Sequence, residues 1–235
     1  MFRTLLAATA LAALPFGASA LTIDTFETSQ AVSAGNSGTV SGAGIIGGSR
    51  TLEVQANGTS DGRIDFFGNN RFNATNETDS TGTFTLTYDA GGAGLGGIDF
   101  QADGSDVLAV RIFQNDQFSD YSFTLTDTDG DSDTVTLEDQ PNVPPFGPLI
   151  NENPPFSNSP QDLIFSFSSF DNAVNLNSID SVTFVLANQF AGADTLVTFI
   201  ETRDTVPGII PLPAPALLLL TGLVGLGAVR HGRRA

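Results

Sequence analysis

The sequence predicts an all-β chain, an antiparallel two-sheet β-sandwich of jelly-roll type. Apolar and polar residues alternate over short runs rich in Phe, Val, Ile and Thr. No stretch of the body carries a long apolar period of 3.6 residues, and Gly, Asn, Asp and Pro clusters separate the runs. A period of two buries one face of a strand and wets the other, so such strands need a second sheet to cover them.

The first expected strands are 21–26, 50–55 and 63–67. At 83–88 (TFTLTY) the alternation is strict, with Phe84, Leu86 and Tyr88 on one face. Strands are next expected at 97–101, 107–113 and 121–126, the last turning Phe123 and Leu125 inward. Then come 134–138 with Val135 and Leu137 inward, 163–170, 181–186 with Val182, Phe184 and Leu186 inward, and 195–201. With 19 Phe, no Trp and a single Met, phenylalanine carries the core. The Pro-rich segment 139–160 is too long for a turn and unfit for a central strand. It reads as a crossing between sheets, with a functional surface loop as the alternative.

Two glycine-rich stretches, 41–48 (SGAGIIGG) and 90–97 (AGGAGLGG), contain the GxGxxG spacing at Gly42, Gly44, Gly47 and at Gly92, Gly94, Gly97. A dinucleotide loop opens a helix, whereas strand-like residues follow here, so both are read as tight turns or bulges.

Both ends read as addressing signals. Residues 1–20 have the form of a secretory signal peptide: Arg3, an apolar stretch, and Ala18-Ser19-Ala20 as a small-x-small cleavage site. Residues 207–235 hold Ile210-Pro211-Leu212-Pro213-Ala214, an apolar run from Ala216 to Val229, and then Arg230, His231, Arg233 and Arg234. That run spans only about 21 Å as a helix against a hydrocarbon core of about 30 Å. It suits a transient signal better than a lasting membrane anchor, and the arginines place its end on the cytoplasmic side.

The tail resembles the PEP-CTERM sorting signals, most closely their VPLPA type, with Ile210 where that type carries Val. The resemblance implies recognition by a membrane-embedded exosortase and delivery to the Gram-negative cell surface or its exopolysaccharide matrix. It covers the tail alone and brings no activity. The phrase from Ile46 to Val54 (IGGSRTLEV), after Asp24-Thr25-Phe26, also resembles openings of other PEP-CTERM cargo proteins of unknown role.

Composition narrows what the body, residues 21–206, can do. It holds all 26 acidic residues against five arginines (Arg50, Arg63, Arg71, Arg111, Arg203), a net charge of −21, and the chain has no lysine. Such a surface repels nucleic acid and anionic membrane. There is no cysteine, and the single histidine, His231, lies in the tail. The body therefore builds no Ser-His-Asp triad, Cys-His pair, disulfide or N/S zinc site.

One constellation carries chemistry. Asp127, Asp129, Asp131 and Asp133 alternate between two strand-like runs, and Glu138 ends the second. Counted from Asp127 as position 1, Asp129, Asp131 and Glu138 fall at positions 3, 5 and 12, as in a calcium loop of the EF-hand type. Ser132 replaces the turning glycine, however, and strands rather than helices flank the stretch. A Ca²⁺ site and a solvated hairpin turn both remain open. Asp99, Asp103 and Asp106 form a second acidic group near a turn.

The leading functional expectation is a non-enzymatic surface or extracellular-matrix protein displayed through its sorting tail. The alternative is a carbohydrate-binding jelly-roll module acting on exopolysaccharide, against which stand the missing Trp and only two Tyr. A glycoside hydrolase or lyase working through two carboxylates is the third class.

Overall fold

A computed structural model of the chain describes residues 20–64, 68–138, 161–171 and 173–205. The expected signal peptide up to Ser19, the 139–160 segment and the sorting tail lie outside them. The strands among the described residues are β1 (Thr22–Asp24), β2 (Gln30–Ser33), β3 (Asn36–Ser41), β4 (Ser49–Asn57), β5 (Ser60–Ile64), β6 (Phe72–Asn76) and β7 (Thr81–Tyr88). They continue with β8 (Val107–Asn115), β9 (Ser119–Asp127), β10 (Ser132–Leu137), β11 (Gln161–Ser166), β12 (Ile179–Asn188) and β13 (Asp194–Arg203). Short 3-10 turns occur at Ile46–Gly48 and Phe167–Ser169. Among the described residues no helix is long and apolar enough to cross a membrane.

All strand pairing among the described residues is antiparallel. A seven-stranded sheet runs β11-β8-β13-β6-β5-β2 with β1 also on β13, and a six-stranded sheet runs β10-β9-β12-β7-β4-β3. Strands adjacent in sequence mostly sit in opposite sheets, as in β6 to β7, β7 to β8, β8 to β9 and β12 to β13. This is the winding of a jelly-roll sandwich. β10 and β11, which the 139–160 segment joins, also belong to different sheets, as the crossing expectation requires.

The alternation translates directly into the core. Phe84, Leu86, Tyr88, Phe123, Leu125, Val182, Phe184 and Leu186 are fully buried. Phe123 of one sheet meets Phe165 of the other edge-on at 4.9 Å, and lies 5.0 Å from Phe184 beside it. Gly62 of β5 has no room for a side chain: a Cβ there would come within 2.8 Å of Leu52 Cδ2 in the opposite sheet. That close approach seats β5 firmly.

Several expected strands are corrected. Residues 97–101 form no strand; a lone bridge, Ile98 to Ile179, marks a turn built from glycines. Gly94 sits there at φ +81, and a Cβ would strike the Asp180 carboxylate that accepts from the Gly96 N–H. The strand expected at 163–170 stops at Ser166, where the serine hydroxyl accepts from the Ser168 N–H and starts a 3-10 turn. The strand expected at 63–67 begins earlier, at Ser60, and is described only to Ile64. β2, β3 and β6 escape the hydrophobic pattern because their residues are mostly Ser, Asn, Thr, Gly and Gln. Val135 and Leu137 are only half-buried, since β10 is the edge of its sheet.

The two outer faces differ. Across the six-stranded sheet, Thr134, Thr124, Thr183, Thr87, Thr51 and Thr39 stand opposite one another, one per strand. The end pairs share hydroxyl hydrogen bonds of 2.7 Å (Thr124–Thr134) and 2.8 Å (Thr39–Thr51). Threonine satisfies strand geometry and water together, so this face needs no ligand to explain it. The seven-stranded sheet presents charge instead.

Candidate functional site

Of the five body arginines, Arg50 is buried and the other four lie on the outer side of the seven-stranded sheet. Arg63 stands on β5, Arg71 just before β6, Arg111 on β8 and Arg203 at the end of β13. Strand alternation puts them there: Asp61 and Arg63 alternate with buried Ser60, Gly62 and Ile64, and Asn73 and Thr75 with buried Phe72, Ala74 and Asn76. Register then aligns Arg63 with Asn73, and Asp61 with Thr75. Leu196 of β13 follows beside Asn73.

Between these rows lies a cleft of about 270 Å³, lined among others by Asp61, Arg63, Asn69, Arg71, Asn73 and Glu77. The volume is near the lower end for small-molecule sites. Its ends differ in sign. Arg71 and Glu77 lie at opposite ends of β6, about 20 Å apart along the strand, with Arg63 nearer the first. The Arg71 guanidinium stacks 3.7 Å over the Phe113 ring. Arg63 Nη2 donates to Asp61 Oδ2 at 2.9 Å. A hydrogen bond from Ser33, followed by the Arg63 guanidinium, holds the Asp61 carboxyl below its usual range.

Beside the cleft the charges are neutralised. Arg111 grips Asp162 with two bonds, Nε–Oδ1 at 2.7 Å and Nη2–Oδ2 at 2.9 Å, while lying 4.5 Å over Phe199. Arg203 joins Asp162 to Glu201, both at 2.7 Å. These guanidinium bonds hold the Asp162 carboxyl low, Arg111 contributing most.

The acidic turn is differently occupied. Asp127 is buried; its Oδ1 accepts from the Asp129 N–H at 2.9 Å and the Asp131 N–H at 3.1 Å. Its Oδ2 accepts from the Asn175 N–H at 2.8 Å, and these backbone donors, Asn175 first, hold the carboxyl low. Asp133 Oδ2 accepts from the Asp171 N–H at 2.7 Å. Asp127 and Asp133 thus tie the hairpin to the segment before β12, while Asp129 and Asp131 are exposed. Extended β10 carries Glu138 about 20 Å from Asp131 along the strand, so the twelve-residue spacing does not become a loop. Among the described residues no three His, Cys, Asp or Glu side chains are grouped to hold a metal. Asp127→Ala should lower the melting temperature and expose 173–178 to proteolysis, whereas Asp129→Ala should do neither. Equal melting shifts for the two variants would refute this role.

Asp99, Asp103 and Asp106 likewise serve the backbone: the first two accept from the N–H two residues on, and Asp106 accepts from the Thr205 N–H and hydroxyl. Burial pushes the Asp116 and Asp194 carboxyls up, the Asp116 charge adding to the effect on Asp194, but neither lines the cleft. Sequence reasoning missed the cleft itself. The available signal was that Arg63 and Arg111 fall on runs expected as strands, with Arg203 just beyond a third; Arg71 precedes β6, a strand the pattern does not reveal.

No family model and no curated protein matches the chain. Solved structures with a similar architecture include a family 11 carbohydrate-binding module from Clostridium thermocellum, in complex with a β-1,3-1,4-mixed-linked tetrasaccharide. It is 17% identical, with a TM-score of 0.35 over 79% of this chain and 95% of that one. A family 61 module in complex with β-1,4-galactotriose is 10% identical, with a TM-score of 0.33 over 76% and 90%. A xylan-binding domain from Paenibacillus barcinonensis is 11% identical, with a TM-score of 0.30 over 80% and 96%. Scores below 0.5 at these identities assign the chain to none of these families.

Proposed function

We propose that the body is a non-catalytic glycan-binding domain of an exported surface or extracellular-matrix protein, taking its ligand in the cleft of the seven-stranded sheet. The carrying observation is what the cleft unites: a guanidinium stacked on Phe113, the amides of Asn69 and Asn73, and the carboxylates of Asp61 and Glu77. Sugar hydroxyls donate and accept together, so they need acceptors and donors interleaved, as carboxylates, amides and guanidinium are here. The stacked pair fills the role of the missing tryptophan platform. Asp61, held low, is unsuited to the proton-donating role in a glycosidase.

The purified protein should bind a defined glycan saturably on an array and in calorimetry. Asn73→Ala should weaken that binding about tenfold or more, the scale of a lost hydrogen bond with a partner left unpaired, without changing the melting temperature. Absence of any glycan binding would refute the proposal.

Delivery belongs to the same reading. The 1–20 signal peptide directs export, and an exosortase-type enzyme acts at Ile210-Pro211-Leu212-Pro213-Ala214, leaving the body at the cell surface or in the matrix. Intact-mass analysis of surface-extracted protein should show neither terminal segment. A mass that still includes Arg233 and Arg234 would mean a retained tail. Calcium is a separate question. A melting shift specific to Ca²⁺ over Mg²⁺, and lost in Asp129→Asn with Asp131→Asn, is the result that would put an ion on the turn.

A further inference from the structure

Among the described residues, the arginines on the outer face of the seven-stranded sheet pair with carboxylates, with one exception. Arg63 has Asp61, and Arg111 and Arg203 share Asp162 and Glu201. Among the described residues Arg71 has no carboxylate partner, although the body carries a net charge of −21. Its guanidinium is held face-down on Phe113 at 3.7 Å, half-buried, and lines the cleft. Stacking uses the flat face of a guanidinium and leaves its in-plane N–H fork for hydrogen bonds. Asn69 and Asn73 add amide donors at the same end, and Arg63 stands one strand away.

We infer that the glycan taken by this cleft is acidic, a uronic-acid-containing polysaccharide whose carboxylate is received by the Arg71 fork. A carboxylate matches that fork with two parallel charge-assisted bonds. A neutral sugar would cover the half-buried cation without supplying its counter-charge, and that costs binding. Toward Glu77 the cleft turns acidic, where ring hydroxyls donate and a second carboxylate is repelled. The arrangement therefore selects the position of the charge as well as its presence. Because the rest of the body is strongly negative, a polyanionic chain is repelled elsewhere, which confines it to this cleft.

The inference rests on the glycan-binding reading, and the test separates the two. Titrate the purified protein with oligogalacturonate and oligomannuronate, and with the carboxyl-reduced neutral counterpart of each. At least one acidic oligomer should bind about tenfold or more tighter than its reduced form, the scale of charged hydrogen bonds. Arg71→Gln should erase that preference, so that the acidic and reduced forms bind the variant alike. Arg71→Lys should restore only part of it, since it returns the charge without the fork. Equal binding of acidic and reduced forms, or binding on an array to neutral glycans alone, overturns this inference and leaves the glycan-binding reading standing. Binding to no glycan at all overturns both.

Discussion

Replacing Arg50 by Met should cost about 3–5 kcal/mol of stability, the range for removing one partner of a buried ion pair. Arg50 and Asp24 are both fully buried, Nη1 and Oδ2 lying 2.6 Å apart. The guanidinium also donates from Nε to Gln30 Oε1 at 3.0 Å and from Nη2 to the Thr28 carbonyl at 2.8 Å. Asp24 in turn accepts from the Phe26 N–H at 2.7 Å and the Tyr88 hydroxyl at 2.9 Å. Burial pushes the Tyr88 hydroxyl far up, so it stays a neutral donor. The network holds Phe26 at φ +57, a left-handed angle unusual for a bulky residue, with its ring 6.0 Å from Phe72. Without Arg50 the carboxylate is left uncompensated in the core.

The pH dependence follows with a definite sign. Burial pushes the Asp24 carboxyl up, with Arg50 the main force pulling it back down. A group raised in the folded state supports folding fully below its unfolded value and loses that support as pH rises through the folded one. Removing Arg50 removes the main downward pull, so the variant's deficit should be greatest near neutral pH and shrink on acidification as Asp24 takes up a proton. Asp162, held low by Arg111 and Arg203, acts oppositely in both proteins: its support is present above the unfolded value and lost as pH falls. Urea titrations of wild type and variant from pH 7 to pH 4 measure the difference. A deficit independent of pH would mean that Asp24 is not the group left exposed to the loss.

Phe184→Ala should cost about 3–5 kcal/mol, the range for truncating a buried aromatic. Phe184 is fully buried on β12, the strand between β9 and β7. Its ring lies 5.0 Å from Phe123 and 6.4 Å from Tyr121. Phe123 also touches Phe165 of the facing sheet, so the cavity opens where the two layers meet. Domains are commonly stable by only about 5–15 kcal/mol, so either substitution removes a large share. A loss below about 1 kcal/mol in denaturant titration would mean that the ring faces water.

Legibility in the sequence followed the physics of burial. Phe84, Leu86, Tyr88, Phe123 and Phe184 were readable because period-two alternation of large apolar residues has one main cause, a strand with one wet face. β2, β3 and β6 were not, because their inward positions include Gln30, Gly62's neighbour Ala74 and Asn76, which pattern counting treats as polar or too small to signify. Asp127 stood out as acidic, but whether its oxygens meet an ion or backbone N–H groups depends on where Asn175 lies, 48 residues on.

The sequence by itself determined the class of fold, the face each main strand buries, and the functions excluded by a body without His, Cys or Lys. Those properties depend on residue type and local period alone. Only the tertiary structure decided that Asp24 meets Arg50, that β5 pairs with β6 to set Arg63 beside Asn73, and that Arg71 stacks on Phe113 from a distant strand. These contacts join different segments of the chain, and strand order and register set them. Many sequences of the same alternation would permit other orders, and only packing of the two sheets selects one.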